Sequence, residues 1–348
     1  MGRLQELKVY TQKDIDRMVH DEHKAIVIFE GDVYDTTDFK ITHPGGPKYI
    51  DDNIGKDISQ IFYDNDHSKI ALRLLNETKI GTLQEQTNGN STKNHQNGKE
   101  RMKEIENEAW REIIDPAQGT IYQVMTKLNY DEYLNFVNDP KHLTRPGDIH
   151  RMFKTPFLDF FSRTPWYHIV WFWSPVVLYK IWQGFDHLSL IELVLYFLFG
   201  MFTWTFIEYS LHRFVFHMEI YIPDNRILRG IHFMFHGVHH AFPMDKDRLV
   251  FPIAMAIPLY FLIYYLLSLI YPKTGMDVIM GGVVWMYIFY DAGHYYFHHA
   301  QPIKAAEYRK KYHMYHHYKD PYKGFGISTS FWDIIFKTEI ILPKKSVD

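Results

Sequence analysis

Twelve of the 21 histidines lie between positions 212 and 317, all but His232 in four tight groups that stand behind or between long apolar runs. The groups are His212/His217, His236/His239/His240, His294/His298/His299 and His313/His316/His317. The 348 residues include no cysteine, so disulfides, zinc–thiolate sites, iron–sulfur clusters and thiol nucleophiles are excluded. Transition-metal chemistry in this chain must run on imidazole and carboxylate.

Helical spacing turns the groups into a geometry. Residues i, i+3 and i+4 share one face of a helix. The two HxxHH groups, at 236–240 and 313–317, therefore each predict three imidazoles aimed at one point. His294 and His298 add two more. His212 and His217 are five apart, about 140° off on an ideal helix, and need a bend or serve different metals. His299 is turned about 100° from His298 and is left out. His232 stands four before His236 and is a candidate to support it from behind. Ten candidate ligands remain: His212, His217, His236, His239, His240, His294, His298, His313, His316 and His317, about five for each of two metals. All-nitrogen sites suit iron, copper or zinc alike. Two acids are placed to support catalysis through the ligands. Glu208 is four before His212 and Asp291 three before His294, so either could accept a ring N–H and fix a tautomer.

Four apolar stretches surround these groups, at roughly Trp166–Trp182, Leu188–Ile207, Leu249–Tyr271 and Val278–Tyr290. A bilayer-spanning helix needs about 20 residues, so the chain is expected to be a multi-pass membrane protein with four transmembrane helices. Lys180 and Asp277 lie near span ends, where snorkelling would keep both wet. Basic residues fill the long loop (Arg213, Arg226, Arg229, Lys246, Arg248) and the tail (Lys304, Arg309, Lys310, Lys311), whereas the short turns hold only Lys273. The positive-inside rule then puts both termini and all the histidine groups on the cytosolic side, as a histidine-rich helical cap. The first residues contain no apolar signal-peptide core, and Glu6 stands where a myristoylation motif needs Ser or Thr.

Residues 1–85 read as a small soluble α+β domain, with short apolar runs punctuated by turn signals at Glu30-Gly31-Asp32 and Pro44-Gly45-Gly46. Residues 86–100 are too polar to bury a core and read as a flexible linker. The whole stretch 86–160 is expected to be linker and amphipathic or irregular segment, broken by Pro116, Pro140, Pro146 and Pro156. Residues 161–348 form the membrane domain. A net charge of −3 gives no field for nucleic acid.

Two resemblances sharpen these expectations. Asp35-Thr-Thr-Asp-Phe39, His43-Pro-Gly-Gly46 and Asp66-His67-Ser68 with Ala71 resemble cytochrome b5 over residues 8 to about 83. His43 and His67 match that family's two axial ligands, which implies a bis-histidine haem b that passes electrons and leaves no position for O₂. The acidic residues Asp51, Asp52, Asp57, Asp64 and Asp66 around His67 suit docking of a basic, NAD(P)H-dependent cytochrome b5 reductase-type donor. The second resemblance rests on HRFVFH, HGVHH, HYYFHH and HMYHH, with HHAFPMDKDRLVFP between His239 and Pro252. These are similar to the fatty acid 2-hydroxylases of the fatty acid hydroxylase/sterol desaturase superfamily.

That likeness implies O₂-dependent hydroxylation at C2 of a fatty acyl chain, on a ceramide or its fatty acid precursor. It also implies two metals on the ten histidines above and residence in the endoplasmic reticulum membrane. Iron is the metal that hydroxylation needs, since zinc has no accessible redox change; isolated protein can carry zinc. The rival readings are a cytochrome b5-fused acyl desaturase, whose third histidine box often reads QxxHH where this chain has HMYHH, a sterol-modifying oxidase, and a non-catalytic membrane haem or metal protein.

Overall fold

The computed structural model describes residues 8–65, 67, 69–84, 109–143, 148–300 and 302–342. They fall into two compact units, residues 1–113 with 144–146 and residues 114–143 with 147–348. The expected linker at 86–100 lies outside the described residues, as does Asp66 of the acidic cluster.

The first unit is built on a four-stranded sheet with order β1-β4-β3-β2. The strands are β1 (Lys8–Tyr10), β2 (Ile26–Phe29), β3 (Asp32–Asp35) and β4 (Lys79–Leu83). β1 runs parallel to β4, and the other pairs are antiparallel. Glu30 and Gly31 both take positive φ, 51° and 78°, between β2 and β3. That is the twist a two-residue hairpin requires, which explains the glycine. Helix α1 (Gln12–His20) opens with a capping box, Thr11 and Asp14 each closing the other's backbone amide. Four short helices follow β3, namely α2 (Phe39–Thr42), α3 (Lys48–Asp51), α4 (Ser59–Asp64) and α5 (Lys69–Asn76). The core there joins Val27, Phe29 and Tyr34 of the sheet to Phe62, Leu72 and Leu75 of the helices.

The second unit is helical. It contains α6 (Thr120–Lys127), α7 (Tyr130–Val137), α8 (Pro156–Phe161), α9 (Trp166–Gly184), α10 (Leu190–Leu211), α11 (Arg226–His232), α12 (Val238–Ala241), α13 (Ile253–Ser268), α14 (Lys273–His299), α15 (Lys304–Tyr318) and α16 (Phe331–Ile335). Within the stretch read as amphipathic or irregular, α6, α7 and α8 are helices. α6 and α7 pack into this unit, and Tyr133 is fully buried.

Each apolar run becomes a helix, with altered bounds. The third shrinks to the 16 residues of α13, because Pro252 can only start the helix. The fourth grows into the 27 residues of α14, which carries Asp291, His294 and His298 on one continuous helix. Among the described residues, one helix is long and apolar enough to cross a membrane: Leu190–Phe216, with a mean hydropathy of 1.9. α14 is the central helix, its side chains from Met276 to Ile288 packing against Trp173 and Val177 of α9 and Trp204 of α10.

The outer faces are apolar as well. Trp171, Leu178 and Trp182 of α9, Leu190, Ile191 and Leu195 of α10, and Phe261 and Tyr265 of α13 all point outward. A protein surrounded by water rarely presents so large an apolar band.

Lys180 and Asp277 do not each snorkel to water. They pair with each other at 2.6 Å across α9 and α14, and Tyr264 of α13 donates to the same Asp277 oxygen. A charge at the end of an apolar helix is cheaper to neutralise by a partner on the neighbouring helix than to hydrate alone.

Candidate metal and haem sites

Two π-helical turns build the histidine face. α10 runs on into a π turn at His212–Phe216, closed by His217 N–H donating to the His212 carbonyl at 3.0 Å. A π turn carries one more residue than an α turn, so residues five apart come to the same side. This is the bend that His212 and His217 needed, and both belong to one group. A second π turn, Phe233–Gly237, joins α11 to α12 and presents His236.

The ten imidazoles gather in two groups of five. One holds His212, His217, His236, His240 and His316; the other His239, His294, His298, His313 and His317. Within each group one nitrogen of every ring lies within 4.8 Å of the others, and all ten residues are buried. The expectation that each HxxHH aims three rings at one point is corrected. Each motif gives its i, i+4 pair to one group and its i+3 histidine to the other. His236 and His240 join His316, while His313 and His317 join His239. The i and i+4 positions lie about 40° apart, whereas i+3 falls about 60° to the other side of i, so a shared edge of the helix separates them. The two groups touch, with the His240 and His317 ring centres 4.3 Å apart. His299 joins neither group and packs on Tyr295.

The first group carries an internal test of what it can hold. His212 Nδ1 donates to the Phe325 carbonyl at 2.5 Å, and His316 Nδ1 to the Lys323 carbonyl at 2.7 Å. His217 Nδ1 donates to a Glu219 carboxylate oxygen at 3.0 Å. These acceptors have no proton to offer, so each Nδ1 carries the hydrogen and each Nε2 of a neutral ring carries a lone pair. Yet the Nε2 atoms of His217 and His316 face each other at 3.1 Å. Burial, then the neighbouring His217 ring, holds His316 well below the ordinary imidazole range, so an added proton does not resolve the contact. Opposed lone pairs of this kind call for a cation between them. Nitrogens about 2.0–2.1 Å from one ion would be spaced as these are. In the second group, His298 and His313 Nε2 lie 2.8 Å apart, His313 and His317 Nε2 3.1 Å, and both nitrogens of His239 are buried without a protein partner. The residues fit two metal ions.

Glu219 was not singled out from the sequence. It lies in the 3₁₀ turn Met218–Ile220 after the first π turn, buried, with His217 Nδ1 at 3.0 Å and His232 Nε2 at 2.9 Å. Burial alone would raise its carboxyl, but the two imidazoles hold it well below the usual carboxylate range. His232 therefore does not back His236. It sits behind Glu219, and its Nδ1 is in turn hydrogen-bonded by the Tyr133 hydroxyl.

Glu208 and Asp291 are also corrected, since neither takes a ring N–H. Glu208 accepts the backbone amides of Ile327 and Ser328 at 2.7 and 2.8 Å. It thereby pins the segment whose Phe325 carbonyl orients His212. Asp291 accepts the amide of Phe251, at 3.2 Å from its nearer oxygen. Both acids hold backbone rather than ligands. A cavity lined by His236, His239 and His294 reaches both groups, and Arg248, Phe251 and Tyr290 form its other walls. Arg248 is buried among Asp159, Asp245 and Ser162.

In the first unit, His43 Nδ1 donates to the Gly46 carbonyl at 3.0 Å and His67 Nδ1 to the Phe62 carbonyl at 2.8 Å. Both Nε2 atoms thus carry lone pairs. The ring centres are 6.3 Å apart, roughly the separation of two imidazoles each about 2 Å from a metal between them. Gly46, at φ 101°, makes the turn that returns its carbonyl to His43. The residues fit a bis-histidine haem. Of the acidic residues nearby, Asp51 and Asp52 are each held by a lysine, Lys40 and Lys48.

Comparison with known proteins follows the same division. Residues 8–84 match the cytochrome b5-like heme/steroid binding domain family, and residues 197–338 match the fatty acid hydroxylase family. The chain is 32% identical over 343 residues to the ceramide very long chain fatty acid hydroxylase SCS7 of Saccharomyces cerevisiae, covering 88% of each protein. It is 33% identical to a fatty acid 2-hydroxylase of Mus musculus, covering 88% of this chain and 89% of that one. A solved structure of full-length scs7p, in which only the hydroxylase domain is visible, superposes with a TM-score of 0.63 at 31% identity. It covers 66% of this chain and 87% of the other.

Proposed function

The chain belongs to the fatty acid hydroxylase family and is a hydroxylating monooxygenase with a fused haem domain, and from that premise we propose that it hydroxylates C2 of the acyl chain of a ceramide or fatty acid on a dimetal centre. The observation that carries the reading is the pair of five-imidazole groups whose ring nitrogens oppose one another. We assign one ion to His212, His217, His236, His240 and His316 and the other to His239, His294, His298, His313 and His317. His43 and His67 hold the haem.

Redox metals at these sites, iron rather than zinc, supply O₂-activating chemistry when bound. The balance is one C–H, one O₂, two electrons and two protons giving one C–OH and one water. The electrons come from an NAD(P)H-dependent reductase of the cytochrome b5 reductase type, through the haem domain. The chain's own residues do the rest. Phe325, Lys323 and Glu219 orient His212, His316 and His217. The cavity walls of Phe251 and Tyr290 receive apolar chain beside His236, His239 and His294. All ten histidines are buried, which keeps bulk water from the reacting carbon.

The apolar outer faces of α9, α10 and α13 support membrane spans, and we take them with α14 as four spans of an endoplasmic reticulum membrane, with the basic loop and tail favouring cytosolic termini. An amphiphile anchored by its headgroup at that boundary would then offer the carbons nearest the headgroup.

Lipid mass spectrometry tests the proposal after expression in a host lacking 2-hydroxylated sphingolipids. The expected product is a 2-hydroxy acyl chain without a new double bond, lost in His239→Ala while the haem spectrum persists. A chain desaturated instead, or hydroxylated elsewhere, refutes it.

A further inference from the structure

The two histidine groups are equally buried but unequally braced. In the first group, three of the five rings are fixed from behind: His212 by the Phe325 carbonyl, His316 by the Lys323 carbonyl and His217 by the Glu219 carboxylate. Glu219 is itself held in place, by His232 at 2.9 Å and through it by Tyr133. In the second group, the Nδ1 atoms of His298, His313 and His317 are buried with no partner among the described residues, and His239 has none at either nitrogen. In the first group only His240 shows such an atom.

An acceptor behind an imidazole locks its orientation and tautomer and makes its other nitrogen a better donor; losing one such partner costs about 10- to 100-fold in metal affinity. A carboxylate also adds a negative charge next to the cation. We infer that the two ions are held unequally: the ion in the His212/His217/His236/His240/His316 group is retained, and the ion in the His239/His294/His298/His313/His317 group exchanges. Glu219 is the positioning residue that makes most of the difference. Access does not explain the inequality, because every ligand in both groups is at most 4% exposed. The inference rests on the dimetal reading above.

The test uses the full-length chain purified with zinc as the probe ion and followed by elemental analysis during incubation with a chelator. Wild type is expected to hold two zinc ions and lose them in two phases, pausing at one per chain. His239→Ala is expected to hold one ion that leaves at the slow rate. Glu219→Gln is expected to speed the slow phase about 10- to 100-fold and leave the fast phase unchanged. Tyr133→Phe, a milder change two contacts further out, speeds the same phase less and covers the case in which the Glu219 variant does not fold. Two ions leaving at one rate overturn the inference and leave the dimetal reading standing, as does a fast-leaving ion in His239→Ala. Fewer than two ions in wild type overturns the dimetal reading itself.

Discussion

Replacing Gly282 with alanine isolates the contact that sets the distance between α10 and α14. A Cβ at Gly282 of α14 would sit 2.1 Å from the Phe197 carbonyl oxygen of α10, and one at Gly200 of α10 would sit 2.0 Å from the Ile279 carbonyl oxygen. An ordinary carbon–oxygen contact is about 3.3–3.6 Å, so the helices would have to part by roughly 1 Å. Backbone atoms cannot swing aside as a side chain does. Overpacking of this kind costs about 1–3 kcal/mol, against about 0.5–1 kcal/mol regained because alanine suits a helix better than glycine.

Gly293 on the same helix supplies the control, with nothing within 4 Å of its Cβ position. Gly293→Ala should therefore gain about 0.5–1 kcal/mol where Gly282→Ala loses. Thermal unfolding in detergent reads the difference, at about 2–4 °C per kcal/mol for a unit of this size. The double variant Gly200→Ala/Gly282→Ala should cost less than the sum, because one separation relieves both clashes. The crossing lies twelve residues, about 18 Å, before His294, so the folded fraction should keep its metal content. Gly282→Ala as stable as Gly293→Ala would refute the close crossing.

Four further outcomes are expected. His43→Ala or His67→Ala should abolish the bis-histidine haem absorbance while leaving the metal content of the second unit unchanged, read by spectroscopy and elemental analysis. Lys180→Met or Asp277→Asn alone should destabilise by about 1.5–3 kcal/mol, and the double variant should recover part of that loss, measured by thermal unfolding. Glu208→Ala strands the amides of Ile327 and Ser328 and loosens the segment behind His212, so it should lower metal retention, while Glu208→Gln, which keeps a carbonyl there, should lower it less. His150 and Arg248 hold the Asp245 carboxyl well below its ordinary 3.8, although burial opposes this. That stability is present above about pH 4 and lost as pH falls through the lower folded value, so wild type and Asp245→Asn should differ in unfolding temperature near neutrality and converge in acid.

The arrangement of histidines along the chain already announced both sites. His43 and His67 stand out because HPGG and DHS, with Ala71, resemble the cytochrome b5 family, whose axial ligands they match. The convergence of ten imidazoles was legible because i, i+3 and i+4 share a helix face whatever the helix packs against. The apolar runs were legible because hydropathy is local, although their ends shifted at Pro252 and where α14 continued unbroken through Asp291.

Only the tertiary structure decided how the ten rings divide. Each HxxHH motif splits because two groups face one helix from either side, and spacing along a single helix cannot tell one target from two. His212 and His217 share a group because a π turn adds a residue, which a rule built on 3.6 residues per turn does not foresee. The acids were misassigned for a related reason. Glu208 and Asp291 are sequence neighbours of candidate ligands, yet Glu208 accepts backbone amides 119 and 120 residues further along and Asp291 one 40 residues back. The groups that do orient the ligands, the carbonyls of Phe325 and Lys323, are backbone atoms present at every residue and carry no mark in the sequence. What the histidine spacing determined is that the imidazoles converge; which of them share a group, and which are braced from behind, depends on chain segments that meet only in the folded protein.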